Sequence, residues 1–252
     1  MANSESWKKI FVDYNILEHD FEEAPFFLDS WMIKKSVQDF TWTTQKEVRI
    51  LCKQDSREDV PEIMRENWLF LLPIKNWNYI ILKWQWYIDI PEINQKSEIY
   101  NSKIGFELES SKIWNSEMQH LDFAYASSLI RTFVKDQTLV LTIRWRKYTP
   151  EFSFKVWKHT INTKSVQTEV DAWYEGKDKI VLIEAKNSKT KNTIIRQLFY
   201  PRKQRKIHTE KEVLLIFFEK RWKEYFMWQY KFLDEDNYNS IKLIKTWRYI
   251  IE

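Results

Sequence analysis

Apolar side chains recur along this chain with two different periods, and each period predicts a different type of element. Between residues 116 and 134 the spacing is helical, which predicts a helix with Ser116 as its N-cap. A second helix is predicted over residues 193–200, and Pro201 is expected to end it. Alternating or continuous apolar runs predict strands at residues 138–146, 152–156, 160–164, 165–173, 179–185, 212–218 and 225–232. This order predicts an α/β fold in which helices sandwich a mixed β-sheet.

The first hundred residues predict an N-terminal α+β region. Asp29 or Ser30 is placed to cap a helix over residues 31–40, and Pro61 suits the first turn of a short helix that ends at residue 68. A β-hairpin is predicted over residues 69–88, and helices followed by a hairpin suit DNA recognition. Residues 94–104 are polar and follow no period, which favours a linker. We therefore expect an N-terminal region at residues 1–100 and a catalytic domain at residues 101–252.

Composition excludes several classes of protein. The single cysteine, Cys52, excludes an internal disulfide and a zinc site built on paired thiolates. The longest clean apolar run, residues 213–218, is too short to span a bilayer, and the first residues contain no apolar stretch typical of a secretion signal. We therefore expect a cytoplasmic protein that has no membrane partner.

The net charge is only +4, but the charges are unevenly distributed. Residues 1–30 hold two Lys against seven acids, whereas residues 186–223 hold twelve Lys or Arg against three Glu. A basic segment that follows a group of carboxylates suits a polyanionic substrate, although a solvated helix face produces the same pattern.

Glycine and tryptophan occur in unusual numbers, because the chain has 2 Gly and 14 Trp. Trp77, Trp157 and Trp222 each lie between two strand-like runs, where a tight hairpin turn needs a positive φ and favours glycine. We hypothesise that many of these tryptophans are glycines in the functional protein, as when a gene in which UGA encodes glycine is translated with UGA as tryptophan. UGG codons at the three positions would exclude this hypothesis. An aromatic surface that stacks on bases is the alternative.

An acid and a lysine are expected to share one face at the end of a buried strand. Residues 180–183 are continuously aliphatic, which predicts a strand buried on both faces. Glu184 and Lys186 follow at its carboxyl end, and residues two apart on a strand point to the same side. A second copy of the acid-x-lysine pattern, Glu175 and Lys177, falls in a predicted exposed turn, where its charges are expected to serve solubility.

The partner acid depends on the register of the hairpin that precedes this strand. With the turn centred between Lys177 and Asp178, Asp171 lies opposite Glu184, whereas a centre one residue earlier places Glu169 there. Both acids point to the same face. Carboxylate oxygens bind Mg²⁺, and a neighbouring lysine orients or deprotonates a nucleophile, so the pattern favours phosphodiester hydrolysis.

This stretch resembles the PD-(D/E)xK nuclease motif, and the chain as a whole is similar to type II restriction endonucleases of that superfamily. The specific likeness lies in SEMQ (116–119), VDAWYE (170–175), IEAKN (183–187) and RQLFYP (196–201). The segments RILCKQDSREDVPEI (49–63) and LLP (71–73) resemble the amino-terminal half of such enzymes less specifically. Val170 stands where the motif has proline. Trp173 stands where a small residue is expected, and its indole would restrict the access of a metal.

The resemblance implies a restriction-endonuclease-like core and an endodeoxyribonuclease that uses Mg²⁺. Asp171 and Glu184 match the two metal-ligating acids, and Lys186 matches the motif lysine. The Ala185 carbonyl matches a third metal contact, and Glu117 matches an additional ligand. The predicted DNA-binding residues are Arg196, Gln197, Arg202 and Lys203, with Gln197 either bonded to the scissile phosphate or holding Lys186.

The implied partner is double-stranded DNA that is cut at a short specific sequence. The resemblance also implies a homodimer as one arrangement, so that two sites address two strands, and a companion DNA methyltransferase encoded nearby. Two alternatives remain open. One is a DNA repair or junction-resolving nuclease on the same core, and the other is a non-catalytic DNA-binding module whose carboxylates are structural.

Overall fold

The computed structural model describes residues 4–109, 116–186 and 189–252. Within them the helices are α1 (Ser4–Asp13), α2 (Ser30–Ser36), α3 (Thr43–Lys46), α4 (Val48–Leu51), α5 (Glu62–Glu66), α6 (Glu117–Ala126), α7 (Leu129–Val134) and α8 (Arg196–Lys206). The strands are β1 (Phe26–Asp29), β2 (Leu69–Lys75), β3 (Asn78–Lys83), β4 (Tyr87–Asp89), β5 (Glu98–Tyr100), β6 (Val140–Tyr148), β7 (Phe152–Val156), β8 (His159–Thr163), β9 (Gln167–Glu175), β10 (Lys179–Lys186), β11 (Asn192–Ile194), β12 (Glu212–Arg221), β13 (Glu224–Phe232) and β14 (Ile241–Ile251). None of these helices is long and apolar enough to cross a lipid bilayer.

The largest sheet has seven strands in the order β5-β14-β13-β12-β10-β9-β6. Strands β10 and β12 are parallel, as are β14 and β5, and the other neighbours are antiparallel. A parallel neighbour requires a crossover connection, and the chain between β10 and β12 provides it through β11 and α8. The expected mixed sheet is therefore confirmed.

Both faces of this sheet are covered by helices. Val181, Ile183 and Ala185 of β10 pack in one apolar cluster with side chains of α6 and α7. Ile180 and Leu182 belong to a second cluster that includes side chains of α8. Residues 180–183 are at most 2% exposed, as expected for a strand that is buried on both sides.

The N-terminal residues form a three-stranded sheet, β1-β3-β2, that is joined closely to the rest of the chain. Strand β4 pairs with β11, with Asn192 opposite Asp89. One apolar cluster contains Trp7 and Leu71 together with Leu198 of α8 and Phe217 of β12, so both parts of the chain share a core. The predicted linker at residues 94–104 contains β5, which extends the edge of the large sheet beside β14.

Several predicted N-terminal elements are confirmed. Asp29 caps α2, because its side chain accepts a hydrogen bond from the Met32 amide at 2.9 Å. Pro61 immediately precedes α5. The hairpin is formed by β2 and β3, with Leu72 opposite Ile80.

Two predicted helices have different limits in the structure. The helix expected over residues 116–134 is interrupted between α6 and α7, where Ser128 has a φ of 68°. The Ser127 hydroxyl donates to the Ala124 carbonyl at 3.1 Å, and such local bonds compete with a continuing helix. Residues 192–194 form a strand instead of a helix, since they pair with β4.

The expectation that Pro201 ends a helix is wrong, because α8 continues through it to Lys206. Proline removes one amide hydrogen bond from a helix. Here Tyr200, Pro201 and Arg202 are all buried, so their packing outweighs that loss. Strand β14 lies beyond the last predicted strand. Most of its side chains are partly exposed, so it has no clear apolar alternation.

Four tryptophans occupy backbone conformations that favour glycine. Among the described residues the positive-φ positions that are not glycine are Asn15, Trp68, Trp77, Ser128, Lys135, Trp157, Ser165 and Trp222, whereas no glycine has a positive φ. The positive φ predicted at Trp77, Trp157 and Trp222 is therefore confirmed, and Trp68 has the same conformation. Trp77 lies in the turn between β2 and β3, Trp157 in the turn between β7 and β8, and Trp222 in the turn between β12 and β13. Trp68 immediately precedes β2. The backbone thus supports the glycine hypothesis.

Candidate active site

Strands β9 and β10 form the hairpin that carries the two acids. Ile183 pairs with Ala172, and continuing this register by one residue places Asp171 opposite Glu184. The turn is therefore centred between Lys177 and Asp178. Of the two registers left open by the sequence, the structure has the one that selects Asp171. Glu169 instead accepts a hydrogen bond from Arg146 of β6 at 2.9 Å.

Gly176 allows the turn of this hairpin to lie against the segment before β6. A Cβ at this position would collide with the side chains of Asp136 and Thr138. The Gly176 amide donates to the Lys179 carbonyl at 2.8 Å, and the Lys177 amide donates to the Thr138 hydroxyl at 2.9 Å. The turn is held by its own backbone and by a neighbouring loop, which stabilises the register that aligns Asp171 with Glu184.

Short hydrogen bonds hold both motif carboxylates, Glu184 through Lys186 and Asp171 through the backbone of Ala185. The Lys186 ammonium nitrogen lies 2.6 Å from Glu184 Oε1, which confirms that the two side chains share a face. Asp171 Oδ2 accepts a hydrogen bond from the Ala185 amide at 2.6 Å. Glu184 is only 7% exposed. The strand ends therefore present two buried or half-buried carboxylates and one ammonium group.

These groups line a cavity of about 360 Å³. Glu117 enters it from the first residue of α6, whose N-cap Ser116 accepts a hydrogen bond from the Gln119 amide at 3.2 Å. Arg196 and Gln197, the first two residues of α8, line the same cavity. The cavity lining comprises Lys53, Asp55, Glu117, Gln167, Thr168, Glu169, Asp171, Glu184, Lys186, Arg196, Gln197 and Pro201.

Burial and neighbouring charge change the pKa values of all three motif side chains. Burial raises the pKa of Glu184 to about 7, since Lys186 offsets the loss of water only in part and Asp171 adds to the rise. Burial also raises the pKa of Asp171, against the opposing effects of the Ala185 amide and Lys186. Burial lowers the pKa of Lys186, but attraction to Glu184 and Asp171 outweighs it, so the net direction is upward. Lys186 is therefore an ammonium ion at neutral pH.

The donor set of this cavity fits a hard divalent cation. Five carboxylates line it (Asp55, Glu117, Glu169, Asp171 and Glu184) against three cationic side chains (Lys53, Lys186 and Arg196). No three His, Cys, Asp or Glu side chains of the described residues are close enough together to hold a metal by themselves. Mg²⁺ typically takes one or two protein carboxylates and completes its shell with water and substrate phosphate. Asp171 and Glu184 match that requirement.

Arg202 and Lys203 are not among the residues that line the cavity, although Arg196 and Gln197 of the same helix are. Arg202 is 6% exposed, and its guanidinium lies 2.8 Å from Glu235 and over the Phe232 ring. The Lys203 ammonium lies 2.6 Å from Asp236. These contacts attach α8 to the segment after β13, so they indicate a structural role for both cations.

Replacing Arg202 with alanine should therefore destabilise the fold, without weakening the DNA binding that the sequence predicts. We expect the free energy of unfolding to fall by about 1–2 kcal/mol, because the contacts with Glu235 and Phe232 are lost. Denaturant unfolding and a DNA-binding titration measure the two effects. Arg196→Ala, on the same helix, is the matched control that should weaken binding. An equal loss of affinity in both variants would contradict the structural role.

The cavity contains residues from the N-terminal region that sequence reasoning did not assign to the site. Lys53 and Asp55 lie between α4 and α5. The Asp55 carbonyl accepts a hydrogen bond from the Ile194 amide at 3.0 Å, and its carboxylate lies 3.7 Å from the Arg196 guanidinium. Their sequence spacing relative to the motif contains no signal, since the bond between the Ile194 amide and the Asp55 carbonyl joins segments that are distant along the chain.

Trp173 does not line the cavity, contrary to the expectation that its indole would restrict metal access. It is 5% exposed and packs in the apolar cluster, with the Arg205 guanidinium 5.3 Å from its ring. The indole lies in the protein interior, so the cavity beside Asp171 stays open.

Two family models match this chain. The model described as "Domain of unknown function (DUF6997)" matches residues 82–250, and the one described as "Domain of unknown function (DUF6996)" matches residues 4–81. No curated protein and no solved structure matches the chain. The boundary between the two models falls at the end of the β2–β3 hairpin, and the motif residues all lie in the larger segment.

Proposed function

We propose that this protein, which belongs to the family described as Domain of unknown function (DUF6997), is a Mg²⁺-dependent endonuclease that hydrolyses phosphodiester bonds in double-stranded DNA. One observation carries the proposal. Asp171 lies opposite Glu184 at the end of a buried strand, with the Lys186 ammonium 2.6 Å from Glu184, and all three line one cavity. Paired carboxylates beside an ammonium group suit hydrolysis of a phosphodiester.

Asp171 and Glu184 would hold the Mg²⁺, with Glu117 and the Ala185 carbonyl as further oxygen donors. When bound, the metal ion supplies positive charge and acidifies a coordinated water. Burial raises the pKa of both acids in the absence of a cation, so a divalent ion would offset the cost of burying their negative charges. The buried carboxylates thereby provide a site that is electrostatically incomplete without a cation.

Lys186 acts as an ammonium group in this proposal. Attack by water on phosphorus places negative charge on the phosphoryl oxygens before the bond to the leaving oxygen breaks. Because the pKa of Lys186 is raised, its proton remains in place and its charge stabilises that transition state. Orientation of the nucleophile and charge stabilisation are therefore favoured over proton abstraction as roles of Lys186.

The beginning of α8 would hold the substrate phosphate in this proposal. Arg196 and Gln197 line the cavity, and the helix has no side-chain cap on its first amides. A helix N-terminus favours a negative group, and Arg196 adds a full positive charge. The Thr193 hydroxyl lies 2.5 Å from Gln197 Oε1 and holds that side chain in position.

Cleavage at a short specific sequence by a homodimer, with a companion DNA methyltransferase encoded nearby, is the finer part of this proposal. The resemblance to type II restriction endonucleases supports it. A repair or junction-resolving nuclease would use the same residues on branched DNA. A DNA-binding module would keep the fold without chemistry.

A cleavage assay on mixed plasmid DNA with and without Mg²⁺ tests the proposal. We expect discrete fragments that depend on the metal and are absent in EDTA. Preferential cutting of branched substrates would instead identify a junction-resolving enzyme. Binding of DNA without any cleavage, over a range of divalent ions and sequences, would refute the nuclease function.

A further inference from the structure

A second cavity of about 610 Å³ continues from the candidate active site. Lys53, Gln167 and Glu169 line both cavities, so the two form one continuous depression. Arg49, Lys75, Arg146 and Tyr148 line the part that lies beyond the motif residues. We call the second cavity the basic groove, and its charged residues are Arg49, Lys53, Lys75, Arg146 and Glu169.

The walls of the basic groove come from both parts of the chain. Arg49 lies in α4, and Lys75 is the last residue of β2. The facing wall is formed by Arg146 of β6 and Gln167 of β9. The Lys164 amide donates to the Ile74 carbonyl at 2.9 Å, so the backbone beside Lys75 is attached to the loop that leads into β9.

Positive charge in the basic groove is only partly neutralised by its surroundings. Glu169 is the single acid among the described residues that line it, and that side chain is paired with Arg146 at 2.9 Å. Arg49 and Lys75 are exposed, and no carboxylate of the described residues lies within ion-pair distance of either. Lys53 lies 3.9 Å from Asp55 and is 74% exposed along its side chain. Arg49 and Lys75 therefore differ from Arg202 and Lys203, which are paired and mostly buried.

We propose that the basic groove binds the sugar–phosphate backbone of duplex DNA next to the scissile bond, with Arg49, Lys53 and Lys75 as phosphate contacts. The inference rests on the proposed function, because the groove leads into the cavity that contains Asp171 and Glu184. Long cationic side chains that have no internal partner gain the most from releasing the counterions of DNA. Such contacts position the duplex and carry no sequence information.

The double variant Arg49→Ala/Lys75→Ala tests this assignment. Binding of a short fluorescent duplex is measured by anisotropy at several salt concentrations, with Ca²⁺ replacing Mg²⁺. The slope of log binding constant against log salt concentration should decrease in magnitude by about 2, since each lost phosphate contact removes about one unit. Binding should weaken to a similar extent for all duplex sequences. An unchanged slope in a variant with wild-type thermal stability would overturn the inference.

Arg65→Ala/Lys34→Ala is the matched control. It removes the same charges from exposed positions of the N-terminal region that line neither cavity, so the slope should stay at its wild-type value. The outcome is separable from the proposed function. If the salt slope depends on Arg49 and Lys75 but the protein cleaves no DNA, the DNA-binding role of the basic groove is supported and the nuclease function is refuted. Tighter groove-dependent binding of duplex RNA than of DNA would refute the choice of DNA.

Discussion

Asp171→Asn is expected to reduce Mg²⁺-dependent DNA cleavage by about 10²–10³-fold while the fold and DNA binding are retained. The asparagine side chain keeps an oxygen that can accept the Ala185 amide, which Asp171 Oδ2 binds at 2.6 Å. It removes the negative charge that faces Glu184 across the hairpin. Only the capacity to hold a cation is therefore lost. Single-turnover cleavage of a defined duplex measures the effect.

Lys186→Met is expected to cause a loss of similar size, because it keeps most of the aliphatic stem and removes the ammonium group. The chain provides a matched control in its second acid-x-lysine pattern. Lys177 is exposed, and its neighbouring acid Glu175 is bound by Lys211 at 2.6 Å and Arg205 at 2.8 Å. Lys177→Met should leave the cleavage rate unchanged. Wild-type cutting by either Asp171→Asn or Lys186→Met would refute the assignment of the site.

Changing Trp68, Trp77, Trp157 and Trp222 together to glycine is expected to raise the free energy of unfolding by about 4 kcal/mol. A left-handed backbone costs a side chain with a Cβ about 1 kcal/mol, and glycine avoids that cost. The four turns are separate, so their effects should add. Trp222 should contribute most, since it is 83% exposed, whereas Trp157 stacks on Trp84 at 5.1 Å and loses that contact. Chemical denaturation of the single and combined variants measures the gain.

Buried tryptophans provide the control for this experiment. Trp7, Trp86 and Trp228 are 0% exposed, and none has a positive φ. The Trp228 indole nitrogen donates to the Pro91 carbonyl at 2.8 Å. Glycine at any of these positions should destabilise the protein by about 3–5 kcal/mol, because a large core side chain is lost. A loss of stability at the four turn positions as well would contradict the glycine hypothesis, as would UGG codons there.

The strand that carries Glu184 and Lys186 could be predicted because its signals are local. Four successive aliphatic residues indicate a strand that is buried on both faces, and alternation places the two charged residues on one side. The hairpin turns could be recognised for a similar reason. Trp77, Trp157 and Trp222 interrupt strand-like runs in the sequence, and in the structure each of the three has a positive φ.

Other features depend on packing that no local pattern encodes. Helix α8 continues past Pro201 because its neighbours are buried, although the isolated sequence favours an end. Arg202 and Lys203 have the same charge as Arg49 and Lys75. The fold places the carboxylates of Glu235 and Asp236 beside Arg202 and Lys203. Arg49 and Lys75 have no such neighbours among the described residues, and the roles proposed for the two pairs differ for this reason.

The sequence by itself determined the carboxylate–lysine pair, its strand and the face that it shares, because side-chain period and burial are properties of neighbouring residues. It left Asp171 and Glu169 as equal partners, since one residue in the turn decides the register. The family resemblance favoured Asp171, and the tertiary structure has the register that selects it; only the tertiary structure added Lys53 and Asp55 to the cavity. Those residues are distant along the chain, and the hydrogen bond from the Ile194 amide to the Asp55 carbonyl holds their segment beside α8.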